Sequence, residues 1–197
     1  TIHDFGGFDP ALYALQYPAT GHPELAEEAA RLLTAAGLGV ALDPARGLDH
    51  GAWVPLWHLL PRADVPVFQV SMPAHLDSAA ALKLGRALAP LRDRGVLIVG
   101  SGSMTHNLYE LGQPGSAEAS YARDFAAWVR AAVVANDVAA LAGYRREAPH
   151  AERAHPTEEN YLPLLVAEGA RGAHGADHRG EVRVVHAGDD DRVHLHE

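Results

Sequence analysis

Val96-Leu97-Ile98-Val99-Gly100-Ser101-Gly102-Ser103-Met104-Thr105-His106-Asn107-Leu108 is the stretch on which the fold of this chain turns. Four apolar residues, three of them β-branched, run into a turn of glycine and serine. Such a run fits a strand of a parallel sheet that is buried on both faces. The glycines permit the sharp reversal after the strand's carboxyl end, and in open α/β sheets ligands bind at that edge. His106 therefore leaves the sheet where catalytic groups sit, or else it is a loop histidine that caps the next helix. Spacing alone leaves both open. The dinucleotide fingerprint is excluded, because its third glycine would fall on Thr105. No register of the segment supplies the G-x-S-x-G of a nucleophile elbow.

Outward from this stretch, strand-like and helix-like segments alternate. Residues 39–43 and 65–72 read as strands, and a last strand candidate runs from Val182 to Val185. Helices are expected from Pro23 to Gly37, from Ala52 to Leu60, over 77–93 with Asp77 as N-cap, and over 118–135. A further helix, capped by Thr157, should run through Leu162, Leu165 and Val166 and end at Gly169. Strands alternating with helices imply right-handed crossovers, so the expected fold is α/β: a three-layer α/β/α domain around a mostly parallel, mixed sheet. With no internal repeat and no linker, residues 1–197 are expected to form a single catalytic domain. The opening Thr1-Ile-His-Asp-Phe-Gly-Gly-Phe8 has the texture of a mid-domain loop, and the chain is expected to lack its domain's N-terminal strands.

Composition narrows the function. A net charge of −9 without any basic run argues against nucleic acid and anionic membrane surfaces as partners. Cysteine is absent, which excludes disulfides, thiolate metal sites and a cysteine nucleophile. No apolar run reaches the ~18 residues of a membrane span. A cytoplasmic enzyme or binding protein fits, with homo-oligomer formation left open. Histidine is abundant, at 13 residues, several of them in the polar tail.

Three polar sites fall in loops: Asp49-His50-Gly51, Thr105-His106-Asn107, and His155-Pro156-Thr157-Glu158-Glu159-Asn160. Loops on a rigid scaffold are where function concentrates, and histidine near neutral pH either moves a proton or ligates a metal. Asp49 either orients the His50 ring or pins a backbone turn, and His155 is ordinary helix-entry chemistry or a site residue. His22, His58 and His75 read as surface or packing residues. No local H-E-x-x-H motif is present, so any metal ligands must converge from distant segments.

The combination of Thr1-Ile-His-Asp-Phe-Gly-Gly-Phe8, Tyr17-Pro-Ala, Gly47-Leu-Asp-His-Gly-Ala-Trp-Val-Pro55, Pro61-Arg-Ala-Asp-Val-Pro-Val-Phe-Gln-Val-Ser71, Gly100-Ser-Gly-Ser-Met-Thr-His-Asn-Leu108 and His155-Pro-Thr-Glu-Glu-Asn-Tyr-Leu-Pro163 resembles the DODA-type (4,5-DOPA) extradiol dioxygenases of the class III ring-cleaving superfamily. The resemblance covers most of residues 1–170. It implies an α/β/α fold and a non-haem Fe(II), often replaced by zinc, that binds a catechol and activates O₂ for ring opening.

Carried over residue by residue, the resemblance gives His106 a place beside the metal as base or ligand, with Asn107 next to it on the substrate side. It sets His50 near the bound substrate as a second catalytic group and His3 in the lining of the same pocket. The family's late histidine ligand falls on Asn160. Its first two ligand histidines lie in S-H-G and S-A-H-W motifs upstream of T-I-H-D-F, and neither motif occurs in this chain. The tail beyond about Gly172 also departs from the family's closing G-S-L-S-M strand. Two other functions compete with the dioxygenase: a metal-dependent hydrolase using the same histidines, and an inactive α/β binding protein derived from the family.

Overall fold

The computed structural model describes residues 1–112 and 115–172, together with the backbone of 184–185 and 195–196. The described chain divides into two compact units, Thr1–Met72 and Pro73–Glu197.

In the first unit, helix α1 (Pro23–Ala35) starts on a proline at its first position, with Glu24 in the opening turn. His22 is its N-cap, accepting the Leu25 amide on Nδ1 at 3.3 Å, a capping task that its sequence context did not announce. Gly37 ends α1 in the left-handed region, φ 74°, donating to Thr34 O while Leu38 donates to Leu33 O. That pair of bonds closes the helix's orphan carbonyls. Helix α2 (His50–Leu59) buries Trp53, Pro55 and Leu56. Tyr17, Trp53 and Leu56 form the core, with Phe5, Leu15, Leu48 and Val67 against them. The polar ends of the two aromatic residues are satisfied: Tyr17 Oη donates to Leu60 O at 2.9 Å and Trp53 Nε1 to Ile2 O at 2.9 Å.

The second unit is helical. Helix α3 (Ser78–Leu88) is capped by Asp77, whose Oδ1 accepts the Ala80 amide at 2.8 Å. The helix expected over 77–93 in fact tightens into a 3-10 segment at Ala89–Arg94, with Pro90 among its opening residues. Proline lacks the N–H that α-helical bonding needs. Helix α4 (Ser120–Val134) presents Tyr121, Phe125, Ala126, Val129, Ala132 and Val133 to the core. Short helices α5 (Val138–Ala142), α6 (Tyr144–Glu147) and α7 (Ala151–Ala154) lead to α8 (Leu162–Arg171).

Thr157 does not cap α8: its hydroxyl donates to Glu159 Oε1, and Pro163 in the first turn fixes the start of the helix five residues later. The end also differs from expectation. Gly169 lies inside α8, at a place where a Cβ would run into the Leu82 carbonyl of α3. Gly85 of α3 meets the Val166 carbonyl in the same way, so the two helices cross backbone to backbone. Gly172, at φ 69°, terminates α8 instead.

The expected mostly parallel sheet is not seen among the described residues. Residues 39–43, 65–72 and 96–100 carry no strand, and among the described residues the only strands are β1 (Val184–Val185) and β2 (Leu195–His196). These two pair antiparallel, Val184 opposite His196 and Val185 opposite Leu195; Val182 lies outside the described residues. A β-branched run favours extended backbone, but a strand exists only where a neighbour accepts its ladder bonds. Leu97, in the middle of the expected strand, is 71% exposed. Its glycine turn is nonetheless packed, since Cβ atoms at Gly100 and Gly102 would strike the Pro163 and Asn160 carbonyls. Among the described residues, no helix is long and apolar enough to cross a membrane.

Candidate active site

Each unit holds one cluster of site residues. In the first, they gather at the amino end of α2. Asp49 is the N-cap, its Oδ1 accepting the Ala52 amide at 3.2 Å. Its Oδ2 receives Gln69 Nε2 at 2.6 Å and Arg46 Nη2 at 3.2 Å. Asp49 therefore pins the turn, and a different carboxylate holds the His50 ring. Asp4 Oδ1 accepts both the His50 main-chain N–H at 3.0 Å and ring Nδ1 at 2.8 Å. An ionised carboxylate only accepts, so Nδ1 carries the proton and Nε2 keeps its lone pair. Burial tends to raise the Asp4 pKa, but the His50 backbone and ring bonds outweigh it and hold the carboxyl below its ordinary value. Both side chains are about half exposed, accessible to a ligand.

Aromatic rings stand beside this pair. Phe5 is edge-on to His50, with centroids 5.9 Å apart, and edge-on to His3 at 5.8 Å. His3 in turn meets Trp53 at 5.6 Å and Tyr13 at 6.2 Å, and its Nε2 donates to Leu15 O at 2.9 Å. The structure thus brings His3 and His50 onto one aromatic wall. Asp4 and Gln69 were missed in the sequence. The aspartate directly after His3 was the available signal, but its partner is 46 residues away.

In the second unit, the loop carrying His106 lies against residues 153–160. The His106 amide donates to Ala154 O at 2.8 Å and the Ser103 amide to Asn160 O at 3.1 Å. The Asn160 side-chain nitrogen donates to His106 Nδ1 at 3.0 Å, and Glu159 Oε1 sits 3.6 Å from the same nitrogen. With Nδ1 accepting, the His106 proton resides on Nε2, the form suited to donating. Burial favours a raised Glu159 pKa; bonds from Thr157, its own amide and Asn160, with the nearby His106, hold it below its ordinary value. Asn107 is engaged with the chain: Nδ2 donates to Arg153 O at 2.8 Å and Oδ1 accepts the Tyr109 amide at 3.1 Å.

His155 lies elsewhere, fully buried between Phe125, Tyr144 and Tyr161. Burial lowers its pKa from 6.5 to about 4, against the opposing pull of its bond to the Met104 carbonyl. The unfolded chain therefore binds more protons than the folded one between these values. The full contribution of neutral His155 to stability is present above pH 6.5 and is lost as pH falls toward 4. The loss amounts to about 3 kcal/mol. Urea midpoints measured from pH 7 to 4.5 should fall steeply in the wild type and less in His155→Gln; equal slopes would refute this.

The family model described as the catalytic LigB subunit of aromatic ring-opening dioxygenase matches residues 1–188. The chain belongs to the LigB family. Within it, the chain is similar to the 4,5-DOPA dioxygenase extradiol of Beta vulgaris, with 46% identity over 87% of this chain and 65% of that protein. It is also similar to the Escherichia coli protein of the same name, with 40% identity over 86% of this chain and 64% of that one. These likenesses make it a DODA-type class III extradiol dioxygenase homologue, and the chain spans less than two thirds of either relative's length. The crystal structure of an uncharacterized Escherichia coli protein superposes with a TM-score of 0.68 at 37% identity, covering 81% of this chain and 66% of that one. The LigB family fold thus holds for the matched part.

LigB-family dioxygenases are metal-dependent, and catalytic Zn²⁺ and non-haem Fe(II) sites take about three strong protein ligands. Around His106 this unit offers one imidazole nitrogen, already bonded to an amide, one carboxylate from Glu159, and the Asn160 amide. Among the described residues, no three His, Cys, Asp or Glu side chains gather into a metal site. This donor set does not fit a metal centre by itself.

Proposed function

We propose that the chain carries the substrate-handling residues of an extradiol ring-cleaving dioxygenase acting on a catechol-type diol, in a cytoplasmic setting. The observation that supports this best is the Asp4–His50 pair beside an aromatic wall. Asp4 holds Nδ1 protonated, so Nε2 of His50 is free to take a proton from a diol hydroxyl. The rings of Phe5, Tyr13 and His3 offer an apolar surface for the substrate's own ring. In the second unit, His106 with its proton on Nε2 is a proposed proton donor in its own right, and Asn107 keeps its loop in place. O₂ activation would be supplied by a metal, proposed as Fe(II) with zinc as its substitute, for which the donors around His106 and Asn160 do not suffice by themselves.

The names of the Beta vulgaris and Escherichia coli relatives point to a DOPA-like catechol. The test is O₂ uptake and appearance of the ring-opened product on adding iron and aromatic substrates with two neighbouring hydroxyls. Asp4→Asn, which keeps the shape but weakens the hold on the His50 proton, should lower kcat by ~10-fold or more with KM little changed. Unchanged kcat would remove the pair from the mechanism.

Asn160 supports a second reading, a catalytically silent binding protein, because a neutral amide stands where the family's late histidine ligand falls. Catechol binding without O₂ uptake, even with iron present, would favour it.

A further inference from the structure

We propose that His155 is a positioning residue: its buried imidazole holds the Met104 carbonyl and thereby fixes the loop that presents His106. The proposal rests on the reading of His106 as a site residue, but its test does not use turnover.

His155 is 0% exposed, and its Nε2 donates to Met104 O at 2.9 Å. The carbonyl cannot donate, so the proton is on Nε2 and Nδ1 is a bare acceptor. That Nδ1 has no hydrogen-bond partner. A buried polar atom left unpaired costs free energy, and Phe125, Tyr144 and Tyr161, with centroids 5.4, 6.3 and 5.5 Å from the ring, form a pocket that a phenylalanine would also fill. The imidazole thus carries a penalty that a hydrocarbon ring would avoid, and its one polar bond goes to the His106 loop.

That bond is one of a set that ties the loop down. Ser103 is tied to Asn160 O, His106 to Ala154 O, and Asn107 to Arg153 O. Met104, between them, is itself buried. His155 secures the Met104 carbonyl, two residues before His106. Without the donor, the Met104 carbonyl would be buried and unpaired, and the loop would have to shift to rehydrate it.

Two substitutions separate positioning from bulk packing. His155→Phe keeps a ring and removes the donor; His155→Gln keeps an N–H near the place of Nε2. Hydrogen exchange of the Ser103 and His106 amides, with the α8 amides of Leu165 and Val166 as internal reference, is the readout. In His155→Phe the loop amides should exchange at least tenfold faster while those of α8 stay unchanged, and the His106 ring resonances should shift. His155→Gln should restore most of both. Uniform acceleration of loop and helix, or an unaltered loop, would overturn the proposal. Should His155→Phe fail to fold, the ¹⁵N ring signals of unsubstituted His155 decide: Nε2–H supports the bond to Met104, and Nδ1–H overturns it.

Discussion

His106→Ala should reduce ring-cleavage kcat by ~10²–10⁴-fold, the usual cost of removing a general acid or base. The folded state should barely register the change. The His106 side chain is partly exposed, hydrogen-bonded to Asn160 at 3.0 Å with the Glu159 carboxylate 3.6 Å away. Deleting it forfeits about one hydrogen bond, a net ~1 kcal/mol. The main-chain bond from the His106 amide to Ala154 O is untouched by the substitution. Steady-state kinetics with a catechol, beside thermal melts of the same samples, separate the two effects. A kcat within twofold of the wild type would show that His106 only shapes the loop. A fall in kcat that tracks a large loss of melting temperature would mean the same.

Gly85→Ala and Gly169→Ala should each destabilise the second unit by about 2–3 kcal/mol. Alanine is the better helix former by about 1 kcal/mol, so propensity alone predicts the opposite sign. Space decides against it. A Cβ on Gly85 would overlap the Val166 carbonyl and come within 2.8 Å of Ala170 N; one on Gly169 would overlap the Leu82 carbonyl and approach Arg86 N to 3.1 Å. These are main-chain atoms of facing helices and cannot swing aside as a side-chain tip can. Relief requires α3 and α8 to separate, opening gaps around Leu82, Leu165 and Val166. Overpacking of this kind costs ~1–3 kcal/mol or more. At this chain length that corresponds to a drop in Tm of roughly 4–12 °C. Gly39→Ala is the control, since its Cβ meets nothing within 4 Å. Stabilised Gly85→Ala or Gly169→Ala proteins would show that the helices do not cross this closely.

Helices were legible because their signals are local. Pro23 and Gly37 bracket α1, Asp77 caps α3, and the apolar spacing around Phe125 and Val129 describes α4. Where a boundary was misjudged, the local cue had a distant cause: Gly169 reads as a helix end, yet it is helical, and its lack of a side chain serves the close contact with α3. At 39–43, 65–72 and 96–99, where strands are expected, the described residues show no strand pairing. Val96-Leu97-Ile98-Val99 states a preference for extended backbone, but pairing belongs to two segments at once, and no single run encodes it.

At the site, histidine identity was legible and histidine partnership was not. Asp49, adjacent to His50, caps the helix, while Asp4 orients the ring from 46 residues away. His155 sits in a motif that reads as helix-entry chemistry, and its burial depends on rings from α4 and α6.

The position of Trp53 makes the first unit optically addressable. Its indole is 2% exposed, hydrogen-bonded to Ile2 O, and 5.6 Å from the His3 ring on the wall that also carries Phe5. An electron-rich diol arriving beside His50 would come close enough to quench this fluorophore, whose shielded surroundings set its emission to the blue of Trp57, the more exposed indole of the same unit. Trp128 belongs to the other unit, and replacing it and Trp57 with phenylalanine leaves a single emitter. Ligand arrival at the Asp4–His50 pair can then be followed as light, in real time, without oxygen or a single turnover.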